Sequence, residues 1–281
     1  CIRDRAGWYL WLFTLPVMLD TFYQVSVVGL LWNLVAIPLL PVIIASGGLG
    51  VVLAGWNIFL GSLAGSPAYG MLQLYQEIGN ISEKLPVGMW TPGQPSKPVI
   101  AGYYLVIFLL VLVEKQLIKR EKRWKIFPGM ELCSMLLLLL LMAHPWQQRE
   151  KITFLDVGQG DASLLQSGGQ TLLLDGGSTS QKNVGTYVIL PYIKQQGISC
   201  LEAVVLTHTD QDHISGVQEI LEMAVKKLNS VKLGCLYLPE WENPPAAWEK
   251  LKQTAKEAGI PVRTLKEGDC LNAGKLQLQI I

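Results

Sequence analysis

The sequence predicts an α-helical, multi-pass membrane segment followed by a mixed α/β layered domain, and three observations carry that reading. Residues 21–76 contain no Asp, Glu, Lys or Arg. A water-facing surface rarely sustains such a run, whereas helices in lipid do. Two further apolar stretches, 99–113 and 126–146, flank a loop with six basic residues between 115 and 125. From Glu150 the composition is that of a soluble domain, with 12 basic and 15 acidic residues. There short apolar runs alternate with helical patterns, which points to a layered sheet with helices outside.

The membrane part is taken first. Residues 8–19 read as the end of a spanning helix. Residues 27–45 are a second candidate, interrupted by Pro38 and Pro41, and 49–64 a glycine-rich third. Glycine and proline there mean either close helix packing or broken helices around a conduit. Met71, Leu74, Tyr75, Ile78, Ile81 and Leu85 then fall at offsets 3, 4, 7, 10 and 14, one apolar helical stripe. Gln73, Gln76, Glu77, Asn80, Glu83 and Lys84 occupy the other face. This is an amphipathic helix on a membrane or protein surface, or one more packed helix. Residues 86–98 are a Pro/Gly linker. The expected divisions are therefore 1–70, 71–98, 99–149 and 150–281. The basic loop between the two last apolar stretches is expected to be cytoplasmic. Everything after about residue 147 is then extracytoplasmic.

In the second half, 152–157, 162–166 and 171–174 read as strands separated by Gly-rich turns. Residues 183–196 read as a helix closed by Gly197. Strand 203–206, helix 217–228, strand 236–238, helix 246–258 and strand 261–265 follow. The five cysteines are odd in number and form no CxxC pair. They read as buried free thiols, with Cys235 or Cys270 as a metal ligand the other reading.

Strand 203–206 runs into Thr207-His208-Thr209-Asp210-Gln211-Asp212-His213. Four potential ligands, His208, Asp210, Asp212 and His213, fall within six residues. Imidazole and carboxylate at this spacing hold two divalent ions. Such a pair activates water for attack on an ester or phosphodiester. His208 and His213 are five apart and do not share one face of a straight helix, so a loop at the strand's end is expected to bring them together. Asp175 ends a strand before Gly176-Gly177. It either orients a ligand histidine, touches the metal's water, or caps the turn. Asp161, in Gly158-Gln159-Gly160-Asp161, either faces the site or belongs to a tight turn. With Asp212, these two are the candidate catalytic residues. His144, the third histidine, ends an apolar stretch beside Pro145 and reads as interfacial.

These residues resemble a known family. The blocks are Phe154-Leu155-Asp156-Val157-Gly158-Gln159-Gly160-Asp161-Ala162, Leu173-Leu174-Asp175-Gly176-Gly177 and Thr207 through Gly216. They resemble the metallo-β-lactamase-fold domain of the ComEC competence DNA-channel family. Thr14-Leu15-Pro16, Ser26, Gly29, Asn33-Leu34 and Ile37-Pro38-Leu39 are similar to the end of that family's membrane domain. The resemblance implies an αββα metallo-β-lactamase-like domain, incomplete at its C-terminus, in a chain truncated at both ends. It implies that His208 and Asp210 serve one metal, and Asp212 and His213 the other. A bridging aspartate and further histidines are then expected beyond residue 281. Aspartate at 210 hardens the site and moves its preference from Zn2+ toward Mn2+ or Mg2+; the two expected ions are Mn2+ or Zn2+.

The implied function is DNA internalisation during competence, through a channel in the bacterial cell membrane. Its extracytoplasmic nuclease degrades one strand while single-stranded DNA crosses. The implied partners are DNA, the lipid bilayer, the DNA-receptor and cytoplasmic translocation proteins of the uptake machinery, and further copies of the chain. Two alternatives stand beside this. One is a membrane-anchored metallohydrolase on a non-DNA substrate, which the outer domain's net charge of −3 favours. The other is a channel whose hydrolase fold is structural only.

Overall fold

The computed structural model describes residues 13–84, 89–118 and 150–280. They fall into two compact units, 1–17 with 25–90 and 18–24 with 91–281. Helix α1 spans Phe13–Phe22.

In the first unit, β1 (Val25–Ser26) pairs antiparallel with β2 (Met89–Trp90). Between them run α2 (Val27–Ala54) and α3 (Ile58–Lys84). The Ser26 hydroxyl accepts the Gly29 N–H at 2.9 Å and caps α2. The Asn57 side chain does the same for α3, accepting the Phe59 N–H at 2.8 Å. The three-residue link makes the helices antiparallel neighbours, and small residues let their backbones approach. A Cβ on Gly50 would stand 3.0 Å from the Gly65 Cα, and one on Gly61 only 2.5 Å from the Ala54 Cβ.

Three membrane-part expectations change here. The helix does not break at Pro38 or Pro41 but runs through both. The expected span 49–64 is divided by a turn at Gly55-Trp56-Asn57, where the Asn57 cap starts a new helix. The stripe from Met71 is the second half of α3, because Pro67 does not interrupt that helix. Among the described residues, one segment, Ala36–Ala54, is long and apolar enough to cross a membrane, and almost none of it is buried by protein. Helix α4 (Lys97–Ile118) contains the expected stretch 99–113. Stretch 126–146, His144 and most of the basic loop lie outside the described residues, so the multi-pass expectation is not reproduced by the described helices.

The second unit holds a six-stranded sheet in the order β10-β9-β7-β5-β4-β3. β3 (Lys151–Phe154), β4 (Ser163–Ser167) and β5 (Gln170–Leu174) form an antiparallel meander. β5, β7 (Ala203–Val205), β9 (Leu236–Pro239) and β10 (Val262–Leu265) are parallel. Alternate residues face opposite sides. Leu164, Leu173, Val204, Leu236 and Leu238 pack with Ile189, Ile193, Val217, Ile220, Trp248 and Leu251. Those partners come from a π-turn (Gly185–Ile189) and helices α5 (Leu190–Gln195), α6 (Gln211–Val225) and α7 (Ala246–Glu257). On the other face, Leu165, Leu172, Ala203, Val205 and Leu265 pack with Leu271 and Leu278 of the hairpin β11 (Cys270–Ala273) and β12 (Leu276–Gln279).

The mixed layered sheet is as the alternation predicts. The hairpin and the short parallel pair β6 (Cys200–Leu201) with β8 (Lys232–Leu233) are additions. A two-residue bridge leaves no periodicity to read. The second sheet of an αββα sandwich is represented, among the described residues, by the hairpin alone. Helix α6 starts six residues before the expected 217, because its first turns are polar and carry the ligand motif instead of an apolar stripe.

Candidate metal centre

The site forms at the carboxyl ends of β5 and β7, adjacent parallel strands whose last pair is Leu174 with Val205. Three segments meet there: the 155–161 loop, the turn after Leu174, and the loop from Thr207 into α6. Backbone hydrogen bonds stitch them together. Asp161 N donates to Asp212 O at 3.0 Å, Gly176 N to His213 O at 2.8 Å and Gly177 N to Asp161 O at 3.1 Å. The approach is too close for any Cβ. One on Gly160 would stand 2.2 Å from Gly177 O, and one on Gly177 would stand 2.5 Å from the backbone of residues 211–213. Gly160 and Gly177 are therefore required by packing against backbone.

Asp175 is the hub of the hydrogen bonds. It is buried at 5% exposure and sits in the left-handed region at φ 54°, which aspartate tolerates better than most residues. Its N–H donates to Val205 O at 2.8 Å, which ties it to the neighbouring strand. Its Oδ1 accepts the Thr207 N–H at 2.8 Å. Its Oδ2 accepts the Thr207 hydroxyl at 2.7 Å and His213 Nδ1–H at 3.0 Å. Because the Thr207 hydroxyl donates to Asp175, it accepts from His208 Nδ1, 2.9 Å away. One carboxylate thus sets both imidazoles, His213 directly and His208 through Thr207. These bonds select the Nδ1–H tautomer of each neutral ring and turn Nε2 outward as the metal-binding atom.

Those Nε2 atoms face carboxylates. His213 Nε2 lies 3.5 Å from Asp212 Oδ2 and 3.6 Å from Asp161 Oδ2. His208 Nε2 lies 3.6 Å from Asp210 Oδ2. The two rings adjoin, with centroids 3.6 Å apart. Donor atoms of His208, Asp212 and His213 all fall within 4.8 Å of one another. Ligands held at about 2.1 Å on one ion lie roughly 3–3.5 Å apart; the His213–Asp212 separation of 3.5 Å meets this, and the wider spread closes with small side-chain shifts. The donor chemistry, neutral imidazole nitrogen with carboxylate oxygen, fits as well. The His213 side chain is 12% exposed and that of Asp161 72%. The cluster is therefore seated in protein but open on one side to a large substrate.

All six residues singled out in the sequence come together: His208, Asp210, Asp212 and His213 with Asp161 and Asp175. His208 is on a loop as expected. Asp212 and His213 instead lie in the first turn of α6, with Asp210 in extended conformation at its N-cap. Cys235 and Cys270 are free thiols outside the cluster, the first buried and the second exposed. Burial, and then Glu202, push the Cys200 thiol above its ordinary range. Thr207 is the residue the sequence reading passed over. Its signal was its place immediately before the first histidine, at the end of a strand whose neighbour ends in Asp175.

The chain matches the Competence protein family over residues 3–117 and the Metallo-beta-lactamase superfamily over residues 155–268. It is 28% identical over 287 residues to ComE operon protein 3 of Bacillus subtilis, covering 95% of this chain and 35% of that one. It is 29% identical to Recombination protein 2 of Haemophilus influenzae, covering 75% of this chain and 29% of that one. A third relative is Uncharacterized protein YcaI of Escherichia coli, 28% identical, with 75% and 27% covered. The chain thus spans about a third of the length of these relatives, or less. A solved diphosphatase from the PhnP family aligns at 18% identity and TM-score 0.25 over 40% of this chain and 39% of that chain, a likeness too slight to weigh.

Proposed function

The chain joins a competence-protein segment to a metallo-β-lactamase-superfamily segment, and on that footing we propose that it serves DNA internalisation. In this reading the first part is a multi-pass channel for single-stranded DNA. The second is an extracytoplasmic, metal-dependent phosphodiesterase that degrades the strand not transported. The observation that carries it is the pair of oriented imidazoles, His208 and His213, each facing carboxylates across about 3.5 Å, on the same chain as a competence segment. The superfamily itself implies divalent metal and supports hydrolysis; the nuclease activity, Mn2+ or Zn2+ as the ions, and DNA as the substrate are this proposal's own.

His208 and Asp210 hold one side of the metal site and His213 and Asp212 the other. When bound, a divalent pair lowers the pKa of water and offsets charge on a phosphodiester. The chain does the rest. Asp175 and Thr207 keep protons on the two Nδ1 atoms, so neither imidazole needs to reorganise. Asp161 Oδ2, on the open side, accepts the proton that the attacking water loses. The water's oxygen bonds to phosphorus, one P–O ester bond breaks, and the leaving oxygen takes up a proton from solvent. The exposed Asp161 and Asp210 leave room for a polymer.

The outer part's net charge of −3 favours a second reading, a membrane-anchored metallohydrolase for another substrate. Uptake of end-labelled duplex DNA into nuclease-protected form separates the two. Cells with His213→Ala in the full-length protein should release no labelled nucleotides. Normal release in that variant sinks the nuclease assignment, and normal uptake in cells lacking the protein sinks the DNA-uptake reading.

A further inference from the structure

β3 pairs antiparallel with β4, and β4 antiparallel with β5. The edge strand β3 therefore runs parallel to β5, and its carboxyl end lies at the same end of the sheet as Asp175 and Thr207. That is the end where open α/β sheets bind ligands. β3 finishes at Phe154, whose side chain is 80% exposed. Beside it lies a cavity of about 340 Å³ whose wall includes Tyr23, Phe154, Asp156, Tyr187 and Tyr192. The volume is within the range of ligand pockets. Tyr187 is 72% exposed. Water-facing aromatic rings gathered in one place are costly to leave bare and mark an interaction surface.

The chemistry of this wall selects among occupants. An acyl chain would use the ring faces and leave the Tyr23 and Tyr187 hydroxyls and the Asp156 carboxylate without a partner in the ligand. A nucleobase uses both, because it has a π-face to stack and a polar edge to bond. A cation for the phosphate backbone stands farther back along β3, at its amino end, and reaches the cavity wall through Tyr192. Lys151 Nζ donates to the Tyr192 hydroxyl at 3.2 Å and lies 5.9 Å from that ring's centroid. The loop that starts at the cavity, with Leu155 and Asp156, ends at Asp161 in the metal cluster.

We propose that this aromatic cavity is a base-stacking subsite for single-stranded nucleic acid. It seats bases of a strand that leaves the metal cluster by way of the 155–161 loop, with the backbone continuing along β3 toward Lys151. The proposal rests on the nuclease reading above and adds to it where the strand lies.

The test uses the full-length protein in nanodiscs, with EDTA for binding and Mn2+ for cleavage. Fluorescence anisotropy compares a labelled oligo-dT with an abasic strand of equal length. Phe154→Ala/Tyr187→Ala removes two exposed rings and leaves the cluster intact. Stacking energies predict that oligo-dT binding weakens roughly 10- to 100-fold, while the abasic strand is unaffected. Hydrolysis of bis(p-nitrophenyl) phosphate should be unchanged, and Phe154→Trp/Tyr187→Trp should restore oligo-dT affinity. Unchanged oligo-dT affinity, in a protein that still binds and cleaves DNA, overturns the subsite and leaves the nuclease standing. Equal losses for both strands overturn it too, since the contact would then be to the backbone. Failure of the unaltered protein to bind or cleave any strand removes both readings.

Discussion

The Thr207 hydroxyl lies 2.7 Å from Asp175 Oδ2, and this bond orders a histidine that Asp175 never touches. By donating to the carboxylate, the hydroxyl presents its lone pairs to His208 Nδ1 at 2.9 Å. The orientation of His208 therefore depends on a residue two positions removed in the chain of contacts. Thr207→Val keeps the shape and removes both roles. Metal affinity should fall about 10- to 100-fold, the usual effect of losing a bond that orients a ligand. Thr207→Ser should retain it. Titration calorimetry with Mn2+ or Zn2+ checks this, and equal affinity in the valine variant would mean that His208 needs no support.

Asp175 carries more. Its loss takes the acceptor from three donors, the Thr207 N–H and hydroxyl and His213 Nδ1–H. Of these the His213 side chain is 12% exposed, and an unsatisfied buried donor costs about 1–3 kcal/mol. The denaturation midpoint of that variant should drop even with EDTA present. Asp210→Ala, whose side chain is 74% exposed, should lower metal affinity while leaving the metal-free midpoint within about 0.5 kcal/mol.

Gly177→Ala tests the stitching of the loops. Its Cβ would stand 2.5 Å from the backbone of residues 211–213, so the first turn of α6 must move. A destabilisation on the order of 1–3 kcal/mol is expected, as for other overpacked sites, together with loss of metal binding. Gly259, with nothing within 4 Å of an added Cβ but φ +72°, should lose stability on Gly259→Ala without losing metal.

The thiols give a pH prediction. Burial, then Glu202, raise the Cys200 pKa. A raised pKa means less thiolate at any pH below it, so alkylation at pH 8 should label Cys200 slowly and exposed Cys270 fast. Raising the pH should narrow the gap. Peptide mapping after iodoacetamide treatment reads both, and equal rates at pH 8 would contradict the raised pKa of half-buried Cys200.

Much of residues 150–280 was legible because the signals there are local. Short continuous apolar runs mark β4, β5 and β7, and a strand running into His208 marks the cluster. What escaped was set by contacts across the chain. The role of Thr207 depends on Asp175, 32 positions earlier. Nothing in Gln211–Gly216 announces the start of α6, whose first turns are polar. In the first unit, Pro38 and Pro41 lie in α2 without breaking it, and the hairpin turn falls where Asn57 caps α3. Neither outcome follows from hydropathy. Asp161 and Asp175 each allowed a turn-only reading. Their contacts with His213 come from tertiary packing.

The most direct test is cleavage of single-stranded DNA by the complete protein, with Mn2+ or Zn2+ and with EDTA, beside Asp212→Ala. Metal-dependent cleavage that disappears in the variant is the predicted result. Bound metal with no cleavage, or cleavage that persists in Asp212→Ala, would contradict the account.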